Sequence, residues 1–123
     1  MIAIQQRYPD VLFTYRQSNH EGDLIDWLQE PLTRQAQGCD DIPEAIILNA
    51  GGYTHTSIAI RDAVVLCPVP VIEVHISDIT KRETFRRISL LTDVCAYTIT
   101  GHGTDGYLEA VDHILTLNQP AHE

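Results

Sequence analysis

Apolar and polar positions along the chain predict strands and helices in alternation. Residues 1–8 read as the end of a helix stopped by Pro9-Asp10, and residues 11–15 as a strand of β-branched and aromatic side chains. Leu24, Ile25, Leu28 and Leu32 then recur at helical spacing, with Trp27 on or near the same face. Ser18 and Glu21 form a capping box ahead of that helix, and Pro31 ends or bends it. Residues 33–43 make a polar loop. The run Ala45-Ile46-Ile47-Leu48 predicts a buried strand, and Ile58, Ala59, Ala63 and Val64 the apolar side of a helix over 58–66, with Arg61 and Asp62 on its more polar part. Residues 71–75 and 95–100 are further strands, 81–87 a short helix, and Leu108, Val111, Ile114 and Leu115 mark a closing amphipathic helix before a frayed tail over 118–123. Strands alternating with helices imply an α/β fold: one domain over 1–123, built on a parallel sheet with helices on both faces.

Polar groups gather where these strands end. After the strand at 45–48 comes Asn49-Ala50-Gly51-Gly52-Tyr53-Thr54-His55-Thr56-Ser57. The carboxyl end of a parallel strand, beside a helix N-terminus, is where such folds bind ligands. The alternative is a connection whose glycines serve the turn and whose Thr or Ser caps the helix. In the strand at 71–75, Glu73 and His75 are two apart and point to one face, among Val71, Ile72, Val74 and Ile76. A buried carboxylate and imidazole are costly unless they serve each other, and Glu73 then fixes the tautomer of His75 and raises its basicity. The next loop supplies Ser77, and Arg82 and Arg86, at i and i+4, share a face of the predicted short helix.

Charge narrows the chemistry. Among 123 residues, 17 acidic and 8 basic side chains give a net charge of −9, which speaks against nucleic acid and anionic membranes as partners. Half of the basic residues are nonetheless Lys81, Arg82, Arg86 and Arg87, an island suited to a small anion or, more plainly, a solvated face. Apolar runs are too short to span a bilayer and no secretory pattern opens the chain. Cys39, Cys67 and Cys95 are odd in number and widely spaced, as reduced thiols of a cytoplasmic protein are, and lack zinc-site pairing. Nucleophile elbow, metal-ligand helix and cofactor fingerprint are all missing. The residues point to metal-free acid–base chemistry on a small hydroxylated anion, with His75 as general acid, or to simple binding of one.

At these residues the chain resembles type II 3-dehydroquinate dehydratase. The resemblance rests on RQSNHEGDLIDWL (16–28), ILNAGGYTHTSIAIRDA (47–63), VIEVHISDI (71–79), KRETFRR (81–87) and the glycine-rich GHGTDGYLEA (101–110). It implies a flavodoxin-like fold, a homododecamer built from trimers, and anti elimination of water from 3-dehydroquinate through an enolate, with no cofactor and no metal. By motif, His75 would be the general acid and Glu73 its orienting partner. Asn49 and His55 would bind substrate hydroxyls or carboxylate, and the backbone of Ile76 and Ser77 would hold the carboxylate. Arg86 would bind ring hydroxyls, Arg82 would help keep the family's catalytic tyrosine ionised, and Asp62 would reach into a neighbouring subunit's site. Asp78 stands where the family commonly has Asn, which would alter hydrogen bonding behind the site.

The resemblance also implies a deficit at the front. The family opens on a central strand, an Asn-Gly-Pro-Asn-type turn and a mobile loop carrying an essential Arg and the catalytic Tyr. None of these motifs is present, and none of Tyr8, Tyr15, Tyr53, Tyr97 and Tyr107 lies in the tyrosine's motif. The missing strand belongs between the 11–15 and 45–48 strands, which would be left with open inner edges or would pair directly. We expect a fragment, or a displaced start, of a longer enzyme ahead of a truncated inactive relative.

Overall fold

The computed structural model describes residues 2–117, so the tail expected over 118–123 lies outside the described residues. Its elements run α1 (Ile2–Arg7), α2 (Glu21–Ala36), β1 (Ile46–Leu48), α3 (Ile58–Leu66), β2 (Val71–His75), β3 (Tyr97–Thr100) and α4 (Asp105–Leu117). The strands form one parallel sheet in the order β1-β2-β3, with Leu48 opposite Glu73, Glu73 opposite Thr98 and His75 opposite Thr100. All five residues of β2 are buried, as befits the middle strand of a sheet covered on both sides.

Strand alternation sorts the core into two layers. Val71 faces a cluster with Leu28 of α2, Ile60, Ala63 and Val64 of α3, Leu48, Ala50 and Leu91. Ile72 and Val74 face the other way, onto Ile99 and Ala110 of α4. Helices therefore cover both faces, the flavodoxin-like arrangement expected. The α4 layer depends on one close approach. A Cβ at Gly106 would come within 3.1 Å of Val74 Cγ1 and 3.4 Å of Ile99 Cγ2. Gly106→Val is expected to cost about 1–3 kcal/mol by overpacking, read as a lower urea midpoint at unchanged slope.

Several expectations are corrected. Residues 11–15 form no strand; Leu12 is 100% exposed and Tyr15 61%. Among the described residues this segment and β1 do not pair directly, and an extended segment gains a ladder only from a neighbour. Among the described residues β1 is paired on one side only. Pro31 does not end α2: it is buried inside a helix that continues to Ala36, absorbing the first residues assigned to the polar loop. The capping box does not form. His20 is the N-cap, while Ser18 Oγ accepts from the His20 N–H and donates to Asp23 at 2.6 Å. Two short 3-10 turns, Ile79–Lys81 and Thr84–Arg86, replace the predicted helix over 81–87. Asp78 caps the first by accepting from the Thr80 N–H and hydroxyl, and Arg82 is extended between them, so Arg82 and Arg86 share no helix face.

Candidate active site

A buried pair on β2 is the centre of the candidate site. Glu73 is 1% exposed and His75 5%, on the face that Val71 shares with α3. The His75 Nε2 lies 2.5 Å from Glu73 Oε2. Three hydroxyls also donate to this carboxylate: Ser89 to Oε2 at 2.6 Å, and Thr92 and Thr98 to Oε1 at 2.8 and 2.9 Å. Burial pushes the Glu73 carboxyl pKa up, but hydrogen bonds from His75, Ser89, Thr92 and Thr98 outweigh it and bring it down to about 2. Glu73 is thus a carboxylate and accepts only, so the proton of that contact sits on Nε2. His75 Nδ1 has no partner among the described residues and is the atom left to exchange a proton with a ligand. The Glu73 charge is felt nearby: burial first, then the Glu73 and Asp93 carboxylates, push the Cys95 thiol up to about 12.

Around the pair stand the loops that follow β1 and β2. Gly51, at φ +59, turns the chain out of β1 into a 3-10 turn, Gly51–His55, and its N–H donates to Asn49 Oδ1 at 3.0 Å. Ser57 caps α3, its Oγ accepting from the Ile60 N–H at 2.9 Å, so this hydroxyl serves the helix. Asn49 Nδ2 donates to the Tyr107 hydroxyl at 2.9 Å, and His55 Nδ1 meets the Ile88 carbonyl at 2.7 Å. After β2, the Ile76 carbonyl accepts from the Gly103 N–H and the Ser77 carbonyl from the Thr100 hydroxyl.

Of the residues singled out from sequence, Glu73 and His75 are in direct contact. Arg82 reaches Ser77 Oγ at 3.0 Å. Arg86 instead stands 3.5 Å from Glu83 and over the Phe85 ring, and neither arginine touches the buried pair. Asp62 is exposed on α3. Sequence reasoning missed Ser89, Thr92 and Thr98. The signal was available, because a buried carboxylate needs more donors than one imidazole provides. Thr98 lies opposite Glu73 in register, and Ser89 and Thr92 flank the fully buried Leu91.

A parallel α/β sheet carries an ionised carboxylate and an imidazole at the carboxyl end of its middle strand, a pair suited to acid–base chemistry. The class II dehydroquinase family model matches residues 2–115. A 3-dehydroquinate dehydratase of Exiguobacterium sp. is 50% identical over 106 residues, 86% of this chain and 67% of that protein. The 3-dehydroquinate dehydratase 2 of Pseudomonas putida is 45% identical over 105 residues, 85% of this chain and 65% of its own length. A crystal structure of type II dehydroquinase from Butyrivibrio crossotus superposes with a TM-score of 0.78 at 40% identity, covering 93% of this chain and 74% of that one. The chain belongs to the class II dehydroquinase family, and it spans about two thirds of the length of the curated relatives it matches.

Proposed function

We propose that this chain carries the acid half of a 3-dehydroquinate dehydratase site. The reaction is elimination of water from 3-dehydroquinate to 3-dehydroshikimate, a step in shikimate or quinate metabolism. The observation that carries the reading is the Glu73–His75 pair, with the proton fixed on Nε2 and Nδ1 left to the ligand. In the elimination, a base takes a proton beside the substrate ketone and an enolate forms. His75 Nδ1–H then protonates the departing hydroxyl, and the Glu73 carboxylate stabilises the imidazolium that precedes that transfer.

The remaining roles follow the family. Asn49 and His55 bind hydroxyls or carboxylate, the backbone of Ile76 and Ser77 holds the carboxylate, and Arg82 and Arg86 supply positive charge once turned from Ser77 and Glu83. Asp62 serves a neighbouring site in a homo-oligomer built from trimers, with a dodecamer as its full form. The 1–123 stretch acts as one domain, in the cytoplasm, without metal or cofactor. Among the described residues no helix is long and apolar enough to cross a membrane.

Among the described residues no tyrosine is paired with His75 as a base would be. Four tyrosines are engaged away from the site, Tyr8 with Asp112, Tyr15 with Gln17, Tyr53 with the Asn19 carbonyl and Tyr97 stacked on His113, and the Tyr107 hydroxyl is held by the site residue Asn49. That observation favours a second reading, a non-catalytic module that binds a small anion through the same pocket. One experiment separates the two. The chain is assayed for the conjugated enone product, alone and fused behind the N-terminal strand and loop of the Exiguobacterium relative. Turnover by the fusion supports the enzyme. Calorimetric binding of 3-dehydroquinate without turnover by either form supports the module, and neither binding nor turnover at millimolar ligand removes both.

A further inference from the structure

The segment over 88–93 lies between the Thr84–Arg86 turn and β3 and has no regular secondary structure of its own, yet it contacts both His55 and Glu73. The Ile88 carbonyl holds His55 Nδ1 at 2.7 Å. Ser89 and Thr92 donate to opposite oxygens of Glu73, and Ser89 Oγ also accepts the N–H groups of Leu91 and Thr92, which closes a turn around the carboxylate. The Leu90 N–H donates to the Thr54 carbonyl at 2.9 Å, beside His55. Leu91 is fully buried in the α3 layer. A single side chain ties this segment to a helix: Arg61 of α3 donates to the Leu90 carbonyl at 2.8 Å and grips both carboxylate oxygens of Asp93. Such a planar fork serves three acceptors at fixed angles, which Lys or Gln cannot reproduce.

We propose that residues 88–93 form a positioning clasp, locked to α3 by Arg61, which holds His55 in its Nδ1–H tautomer through the Ile88 carbonyl and cradles the Glu73 carboxylate through Ser89 and Thr92. The clasp makes the His55 turn and the Glu73–His75 strand one mechanical unit. It leaves His55 Nε2 as an acceptor for a ligand hydroxyl while His75 presents Nδ1. Arg61 and Asp93 are positioning residues that act through this segment. The inference rests on the acid-site reading above for its purpose, but its test needs no substrate.

Arg61→Gln is compared with the parent chain by NMR of isotopically labelled imidazole and carboxyl groups. The charged and titratable groups around Glu73 are His75 on its own strand, Cys95 ahead of β3, and the Arg61–Asp93 pair across the clasp. In the parent, His55 is expected as its Nδ1–H tautomer and Glu73 titrates near 2. In Arg61→Gln, His55 loses its tautomer preference and the Glu73 midpoint rises towards 4.5, while His102, paired with Glu109, keeps its state as an internal reference. A folded Arg61→Gln chain with His55 and Glu73 both unchanged overturns the proposal. Should that variant not fold, Asp93→Asn, which retains the Arg61–Leu90 contact, carries the same test with smaller shifts, and unchanged readings there overturn it too. Failure of the dehydration assay leaves these readings standing, and their failure leaves the assay standing.

Discussion

Replacing Glu73 by Ala is expected to destabilise the protein by about 3–5 kcal/mol, the usual consequence of removing one partner from a buried charged pair. The loss is large because the carboxylate is shared. His75 Nε2–H and the hydroxyls of Ser89, Thr92 and Thr98 all lose their acceptor at once, at a place water does not reach. Urea unfolding of both chains at neutral pH measures it. The dependence on pH has a definite sign. A carboxyl held at about 2 in the folded state, against 4.5 ordinarily, contributes stability that is complete above about 4.5 and is lost as pH falls towards 2. The gap between parent and variant should therefore narrow by on the order of 3 kcal/mol from pH 5 downwards. A gap that is constant from pH 5 to 2 would show that Glu73 is not held ionised by its surroundings.

The middle of the fold was legible in the chain because its periodicities are clean. The apolar run at 45–48 and the alternating 71–75 stretch gave their strands to within a residue, and Leu108, Val111 and Ile114 gave α4. The Glu73–His75 contact was legible for a sharper reason: two polar side chains of one face in an otherwise apolar central strand have few partners but each other. The 11–15 segment shows what periodicity leaves out. Its β-branched and aromatic residues suit a strand, but propensity cannot supply the neighbour that a ladder requires, and Leu12 ends in solvent. Residues 81–87 failed differently, because Asp78 takes the Thr80 N–H and hydroxyl in a local turn that competes with helix formation. The need for donors such as Ser89 and Thr92 was legible in the buried Glu73, but the Ile88 and Leu90 carbonyls that complete the 88–93 clasp carry no side-chain signal, and Arg61 stood on the more polar part of α3.

In the proposed function, His75 delivers a proton from Nδ1 because Glu73 holds Nε2–H. The same geometry explains why a substitution at His75 should separate chemistry from folding. His75→Asn retains an N–H donor for the carboxylate, so the three hydroxyls keep their shared acceptor and stability should change less than in Glu73→Ala. What Asn cannot do is give up a proton, so a general-acid contribution of about 100- to 10,000-fold is lost from kcat while ligand binding persists. The direct measurement is the rate of enone formation from 3-dehydroquinate by the fusion carrying the relative's N-terminal strand and loop, with and without His75→Asn. A fall in kcat of at least about 100-fold with KM nearly unchanged is the predicted result. Undiminished turnover in the variant would contradict the account.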